Sequence, residues 1–193
     1  GGGGGGGGGG DSDDDDYGAG TSRARVKKTT SRFRADHARR DAILQQITED
    51  FAANPVYGAF AVPVTKKIVP DYTEFVTRRM DLSQIIKNCK RAGGYQSAET
   101  WMGDVRQIAT NAKLYHAPDP GVSPQPLYVT PSMYDTALQL VEAVEAEVER
   151  RAGEIQAVDV HFNLRKVLGR EPSEAAAAAV AAAMATGGGD GGG

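Results

Sequence analysis

The middle of the chain carries apolar residues at the spacing of amphipathic helices. In four segments, apolar side chains recur three or four residues apart, which gives each segment one apolar face. The clearest stripe ends at Tyr115, where the steps are four, three, four and three residues. The four segments are residues 36–53, 81–92, 97–116 and 130–151. Together they predict an all-α bundle over residues 36–152.

Residue types at the segment ends agree with this periodicity. Asp81, Ser97 and Thr130 stand where an N-cap side chain accepts hydrogen bonds from the first free backbone N–H groups. Pro131 falls in a first turn, where its missing N–H costs nothing. The predicted helices therefore have residues suited to helix N-termini as well as apolar faces.

The connection between the first two helices is unusually long. Residues 54–79 show little periodicity, and a loop of this length in a compact domain is usually functional or disordered. It is too apolar to be a solvated tether, since it holds Phe60, Val62, Val64, Ile68, Val69, Tyr72 and Phe75. Its prolines reduce the entropy lost on ordering. We expect it to pack on the bundle and, with the proline-rich loop after His116, to form a concave site.

The two ends of the chain differ in composition from its middle. Residues 1–35 are rich in Gly and Asp and then basic, and residues 153–193 are rich in Ala and Gly. Both are expected to be low-complexity tails because they offer little apolar surface to bury. The basic block is a candidate for nuclear import or weak nucleic-acid contact, or is a plain flexible linker. Its cations include Arg23, Arg25, Lys27 and Lys28.

Composition narrows the class of protein. The net charge is −3, and residues 36–152 carry 13 Lys and Arg against 15 Asp and Glu, which argues against a strong nucleic-acid binder. No run approaches the ~18 apolar residues of a membrane span. The single cysteine, Cys89, excludes an internal disulfide and indicates a reducing compartment. The chain does not begin with Met and opens with glycines, so we interpret it as a fragment or a processed form.

Catalytic patterns are missing from the sequence. His37, His116 and His161 fall on different elements without metal-ligand spacing, and no histidine is placed near Cys89 by the pattern. No Gly-rich phosphate loop follows a strand. We therefore expect no enzyme activity, no metal and no cofactor.

One contiguous stretch resembles a known family. The run "FAVPVTKKIVPDYTEFVTRRMDLSQIIKNCKRAGGYQSAETWMGDVRQIATNAKLYH" is similar to the bromodomain, the acetyl-lysine reader, and most like those of large general transcription factor subunits. The resemblance implies a left-handed four-helix bundle with a long ordered loop between the first and second helices. It also implies acetylated histone tails or other acetylated proteins as partners, a chromatin-associated complex, and a nuclear location.

The resemblance further implies a pocket between the long loop and the loop after the third helix. Phe60 and Val64 would form its shelf and wall, and Ile68 and Val69 its long-loop side. Tyr72 would hold a water that bridges to the acetyl carbonyl, and Asn111 would tie the loops together. The pocket would be completed by Tyr115, His116 and, as gatekeeper, Met133.

His116 is the main departure from the family pattern. The family has an Asn there, whose amide donates to the acetyl carbonyl, and Gly58 and Ala59 replace the usual Trp-Pro before Phe60. A neutral imidazole donates from one ring nitrogen, so it can replace the lost donor, and its charge can make binding depend on pH near ~6.5. The alternative is a degenerate bromodomain that acts as an interaction scaffold without binding acetyl-lysine.

Overall fold

In the computed structural model, the described residues are 19–121 and 123–186, with side chains described for Ala35 and from His37 onward. The chain divides into two compact units, Gly1–Phe33 and Arg34–Gly193, and the core lies in the second. The expected tails at residues 1–18 and 187–193 lie outside the described residues. The elements are α1 (Ala19–Ala53), a 3-10 turn (Pro55–Phe60), α2 (Tyr72–Phe75), α3 (Leu82–Lys90), α4 (Ala98–His116), α5 (Pro131–Arg150), α6 (Ala152–Val158), α7 (Leu164–Leu168) and α8 (Glu174–Thr186).

The predicted all-α fold is confirmed, because the described residues form helices and turns and no strand. The four predicted helices correspond to the second part of α1 and to α3, α4 and α5. The Asp81 side chain accepts from the Gln84 N–H at 3.0 Å, and Ser97 forms a capping box with Thr100. Thr130 makes no capping bond with its side chain, although Pro131 does open α5.

The core centres on Trp101, which is fully buried against residues of α1, α3 and α5. Its indole N–H donates to the Thr48 hydroxyl at 3.1 Å, and that hydroxyl donates to the Leu44 carbonyl at 2.7 Å. A buried indole needs such a partner. The neighbouring apolar side chains that are fully buried include Leu44, Ile47, Leu82, Ile85, Leu140 and Val148.

The tail expected from residue 153 needs correction. Residues 152–186 form three helices, and large side chains within them belong to the main core cluster. These buried residues are Ile155, Phe162, Leu164, Val167 and Leu168. The Ala-rich α8 packs closely on α6, since a Cβ at Gly153 would lie 3.1 Å from the Ala179 carbonyl oxygen. Small residues permit this close approach, and the alanine run is therefore part of a packed layer.

The tail expected over residues 1–35 also needs correction in its second half. Residues 19–35 are helical and continue into the predicted first helix as α1. Alanine and arginine are strong helix formers, which is compatible with this extension. The side chains of Arg23, Arg25, Lys27 and Lys28 lie outside the described residues, so their contact with nucleic acid stays a prediction.

A buried ionic cluster joins the C-terminal segment to α1. Arg40 is 1% exposed and donates from Nη1 to Asp159 Oδ2 at 3.1 Å and from Nε to Asp41 Oδ1 at 3.1 Å. Asp41 also accepts from the Tyr95 N–H at 3.2 Å. Gly94 passes so close, with φ of +47°, that a Cβ there would lie 1.6 Å from Asp41 Oδ2. The cluster thus requires a glycine at this turn.

Candidate functional site

The end of the long connection is fastened to α4 by polar contacts. Arg78 donates from Nη2 to Asp104 Oδ1 at 2.5 Å and from Nη1 to Gln107 Oε1 at 3.1 Å. Asn111 is 2% exposed and donates to the Arg78 carbonyl at 2.9 Å. Asn111 therefore ties the connection to α4, and its implied role of tying the loops together stays a prediction.

The middle of the connection packs an aromatic cluster against the end of α4. Tyr72 and Tyr115 are buried with ring centroids 5.3 Å apart, and Phe75 meets Tyr115 edge-on at 5.8 Å. Val64 and Val69 pack against the same cluster. These contacts bring together four of the residues that the resemblance assigned to one pocket, namely Val64, Val69, Tyr72 and Tyr115.

Asp71 holds the two loops together and was missed as a site residue by the sequence analysis. It is 7% exposed; its Oδ1 accepts from the Tyr115 hydroxyl at 2.6 Å and its Oδ2 from the Leu127 N–H at 2.8 Å. Burial raises the pKa of Asp71, but these hydrogen bonds outweigh it and leave the pKa below its ordinary value. Burial and the Asp71 carboxylate raise the pKa of Tyr115 to about 12. The available signal was the position of Asp71 directly before Tyr72, within the stretch that resembles the family.

His116 ends α4 with one ring nitrogen already engaged. Its Nδ1 accepts from the Thr130 N–H at 3.1 Å, at the start of α5. The ring is half-buried and meets the Tyr115 ring edge-on at 5.0 Å. Burial lowers the pKa of His116. A neutral ring that accepts at Nδ1 carries its proton on Nε2, so the geometry assigns Nε2 as a donor.

Comparison with known proteins decides the family. The bromodomain family matches residues 44–125, a stretch that contains the connection, the aromatic cluster and the end of α4. This part of the chain is a bromodomain. The match ends before α5, so Met133 and helices α6 to α8 lie beyond it.

Several relatives are proteins of transcription and chromatin. The chain is 36% identical over 95 residues, 49% of its length, to transcription initiation factor TFIID subunit 1 of Drosophila melanogaster. It is 38% identical over 74 residues, 38% of its length, to the protein of that name from Oryza sativa subsp. japonica. It is 34% identical over 98 residues, 51% of its length, to the nucleosome-remodeling factor subunit NURF301-like of Caenorhabditis elegans. The chain spans about 4% of the length of each of these relatives.

The remaining predicted pocket residues do not join the aromatic cluster. Phe60 is half-buried against the small residues of α4 and α5, including Ala112 and Ala137. Met133 is half-buried in the first turn of α5, where its N–H donates to the Thr130 carbonyl at 2.9 Å. Ile68 is 68% exposed, so its side chain lies at the surface of the long connection.

A cavity of about 420 Å³ lies between the long connection and the start of α3. Val64 and Tyr72 are the two predicted pocket residues that line it. Its other lining residues are Pro63, Thr77, Arg78, Arg79, Met80, Asp81 and Gln84. A cavity of this size with polar walls can hold ordered water beside Tyr72.

The described residues include no candidate metal site, and their one thiol is buried. Within residues 19–121 and 123–186, no group of three His, Cys, Asp or Glu side chains could hold a metal ion. None of the helices in that part of the chain is long and apolar enough to cross a membrane. Burial raises the pKa of Cys89 to about 12, so little thiolate exists at neutral pH.

Proposed function

We propose that this bromodomain binds acetylated lysine of a chromatin protein, and that Nε2 of His116 donates the hydrogen bond to the acetyl carbonyl. The observation that carries the proposal is the bond from the Thr130 N–H to His116 Nδ1. It fixes the ring and leaves the proton on Nε2. No second hydrogen-bond partner of His116 is found among the described residues, so Nε2 is available to a ligand.

The aromatic cluster around Tyr115 favours a neutral amide over an ammonium group. Aromatic and aliphatic side chains form the cluster around Tyr115, and both oxygens of Asp71 are engaged by Tyr115 and Leu127. An unmodified lysine would find no free carboxylate in this cluster. Burying an unpaired ammonium group costs several kcal/mol, whereas an acetylated side chain needs only one donor for its carbonyl. This difference is the basis of selectivity.

We expect Tyr72 to contact the same ligand through a bridging water molecule. It lines the cavity beside the connection, together with Val64. In the proposal, a water in this cavity bridges the Tyr72 hydroxyl to the acetyl carbonyl. Water-mediated bonds are nearly as favourable in enthalpy as direct ones.

The relatives guide the cellular setting of the proposal. Their names identify them as transcription initiation and nucleosome-remodeling factors. We infer a nuclear location and membership of a chromatin-associated complex for the present chain, with acetylated histones or other acetylated proteins as partners. The bromodomain is a binding module rather than a catalytic fold, so recognition is the activity to measure.

The donor role of His116 is tested by calorimetry with the full chain. Acetylated peptides and their unmodified twins are titrated into wild type, His116→Asn and His116→Phe. We expect wild type and the Asn variant to bind acetylated peptide only. The Phe variant keeps a ring but has no donor, and its affinity should fall about tenfold, the value of one hydrogen bond.

Two results would count against the proposal. Equal affinity of His116→Phe and wild type would show that Nε2 does not donate to the ligand. Binding by His116→Asn with none by wild type would identify the natural chain as an interaction scaffold, the alternative function.

A further inference from the structure

A short turn in the long connection presents two lysines and an isoleucine to solvent. The Thr65 carbonyl accepts from the N–H groups of Ile68 and Val69, both at 2.9 Å, which closes the turn. Val64 and Val69 anchor its ends in the aromatic cluster. Lys66, Lys67 and Ile68 are exposed, Ile68 by 68%. Their exposure is thus imposed by an ordered backbone.

The loop after α4 is bonded to the long connection and presents apolar side chains to solvent. Leu127 and Tyr128 are 74% and 53% exposed. The Leu127 N–H donates to Asp71 Oδ2 at 2.8 Å, and Asp71 follows Val69 by two residues. Leu127 is therefore held beside Asp71, three residues after Ile68 in the long connection. We call the surface formed by Lys66, Lys67, Ile68, Leu127 and Tyr128 the rim.

The rim combines apolar contact area with unpaired positive charge. Among the described residues, no ion pair or hydrogen bond engages the side chain of Lys66 or Lys67. Asp71 uses both oxygens elsewhere, and Glu74, the exposed acid of α2, forms no ion pair with either lysine. Exposed apolar groups that cluster in this way mark interaction sites. The charge of the rim favours a negatively charged partner.

We propose that the rim binds the residues flanking the acetylated lysine, and that those flanks are acidic and apolar rather than rich in Lys and Arg. This inference rests on the proposed acetyl-lysine function and narrows its partners to acetylated proteins with acidic flanks. A peptide fits better than nucleic acid, because two lysines supply few phosphate contacts. Ile68 and Leu127 gain from apolar side chains of a peptide, which a phosphate backbone does not offer.

The test uses three acetylated peptides with one acetyl-lysine core. Their flanks are acidic with leucine, neutral with leucine, or basic with leucine, and each peptide has an unmodified twin. At low salt, we expect the acidic peptide to bind about fivefold more tightly than the neutral one, the worth of two exposed ion pairs. The basic peptide should bind more weakly than the neutral one. The differences should shrink at high salt, since screening weakens exposed charge pairs.

Charge reversal assigns the preference to the rim. In Lys66→Glu/Lys67→Glu the order of the acidic and basic peptides should invert. The matched control is Lys87→Glu/Lys166→Glu, which reverses two exposed lysines on α3 and α7 and should keep the wild-type order. All variants retain Tyr72, Tyr115 and His116.

The outcomes separate this inference from the proposed function. Acetyl-dependent binding that does not depend on flank charge, or that favours basic flanks, would contradict the proposed role of the rim. The proposed acetyl-lysine function would be unaffected. An acidic preference that survives Lys66→Glu/Lys67→Glu would also contradict the role of the rim. A DNA duplex that loses affinity in that variant, while the peptides do not, assigns the lysines to phosphate instead. If no acetylated peptide binds, both proposals fail.

Discussion

The buried carboxylates of Asp41 and Asp71 lie in two regions of the molecule, and their pKa values are shifted in opposite directions. Asp41 lies in the core beside the Arg40 guanidinium, and burial raises its pKa despite the opposing hydrogen bonds from Arg40. Asp71 joins two loops and has no ion-pair partner in the part of the chain that the structure describes, and its pKa stays below the ordinary value because of bonds from Tyr115 and Leu127. In the first region desolvation prevails, and in the second hydrogen bonding does.

The two carboxylates hold different parts of the molecule together. The Arg40 cluster joins α1 to the turn before α4 and, through Asp159, to the segment after α6. It fixes the helices, and no part of it lies at the rim. Asp71 accepts from the Tyr115 hydroxyl and from the backbone N–H of exposed Leu127, and so joins two loops. We expect damage to the first cluster to appear in folding and damage to the second to appear in binding as well.

The largest expected effect is in the core. Arg40→Met keeps much of the side-chain volume but leaves Asp41 and Asp159 buried without their cation. Removing one partner of a buried ion pair costs about 3–5 kcal/mol of unfolding free energy. Urea unfolding followed by circular dichroism measures it. Affinity for acetylated peptide should be unchanged under conditions in which the variant is folded.

The neighbouring Arg39 supplies the control, since it is exposed on the same helix. Arg39→Met should change stability by less than about 0.5 kcal/mol. A similarly small loss for Arg40→Met would mean that the ionic cluster adds nothing to the fold, and the contrast with the Asp71 region would disappear.

The sequence predicted the parts of the fold that depend on local periodicity. The apolar faces of α3, α4 and α5 and the N-cap residues of α3 and α4 each lie within one segment, so a local sequence pattern reveals them. The Arg40–Asp159 pair joins residues 119 positions apart, and no local pattern signals it. The same limit applies to α8, because an alanine face gives a weak signal until Gly153 is known to lie against Ala179.

The resemblance named residues of the candidate site but not the hydrogen bonds that join them. The family resemblance supplied Tyr72, Asn111 and Tyr115, and the structure packs Tyr72 against Tyr115 and bonds Asn111 to the connection. It did not supply the bond from Leu127 to Asp71, which spans 56 residues. Nor could a sequence assign the proton of His116, because that depends on the Thr130 N–H.

A smaller effect is expected when one bond between the loops is removed. Tyr115→Phe deletes the hydroxyl that donates to Asp71 and leaves a buried carboxylate oxygen without that donor. The unfolding free energy should fall by about 1–2 kcal/mol. Because the same bond fixes the loop that carries Leu127, affinity for acetylated peptide should also fall, in contrast to Arg40→Met. Unfolding and calorimetry on the same samples measure both quantities.

Tyr57→Phe removes the same atom from another mostly buried tyrosine whose hydroxyl makes no hydrogen bond to the described residues. This variant should keep wild-type stability and affinity. If Tyr115→Phe lost stability but bound peptide as wild type does, Asp71 would serve the fold alone, and the two carboxylates would have equivalent roles.

The smallest effect is expected from pH, and it concerns His116. Burial lowers the pKa of His116 below its ordinary value of 6.5. The neutral ring is therefore the main form at pH 7 and 8, and affinity should be constant there. When pH falls below 6.5, the ring begins to protonate, Nδ1–H opposes the Thr130 N–H, and affinity should decline. By the same linkage, the stability contributed by the neutral ring is full above pH 6.5 and is lost as pH falls through the lowered pKa.

Calorimetry from pH 8 to pH 5.5 with an acetylated peptide of neutral flanks measures this decline. His116→Asn is the control, because His37 and His161 remain and any pH dependence they cause would persist. The expected loss is less than tenfold, since Nε2 still donates when the ring is charged and only the bond from Thr130 is sacrificed. A wild-type profile identical to that of His116→Asn would contradict the expected contribution of His116 protonation to the pH dependence of binding.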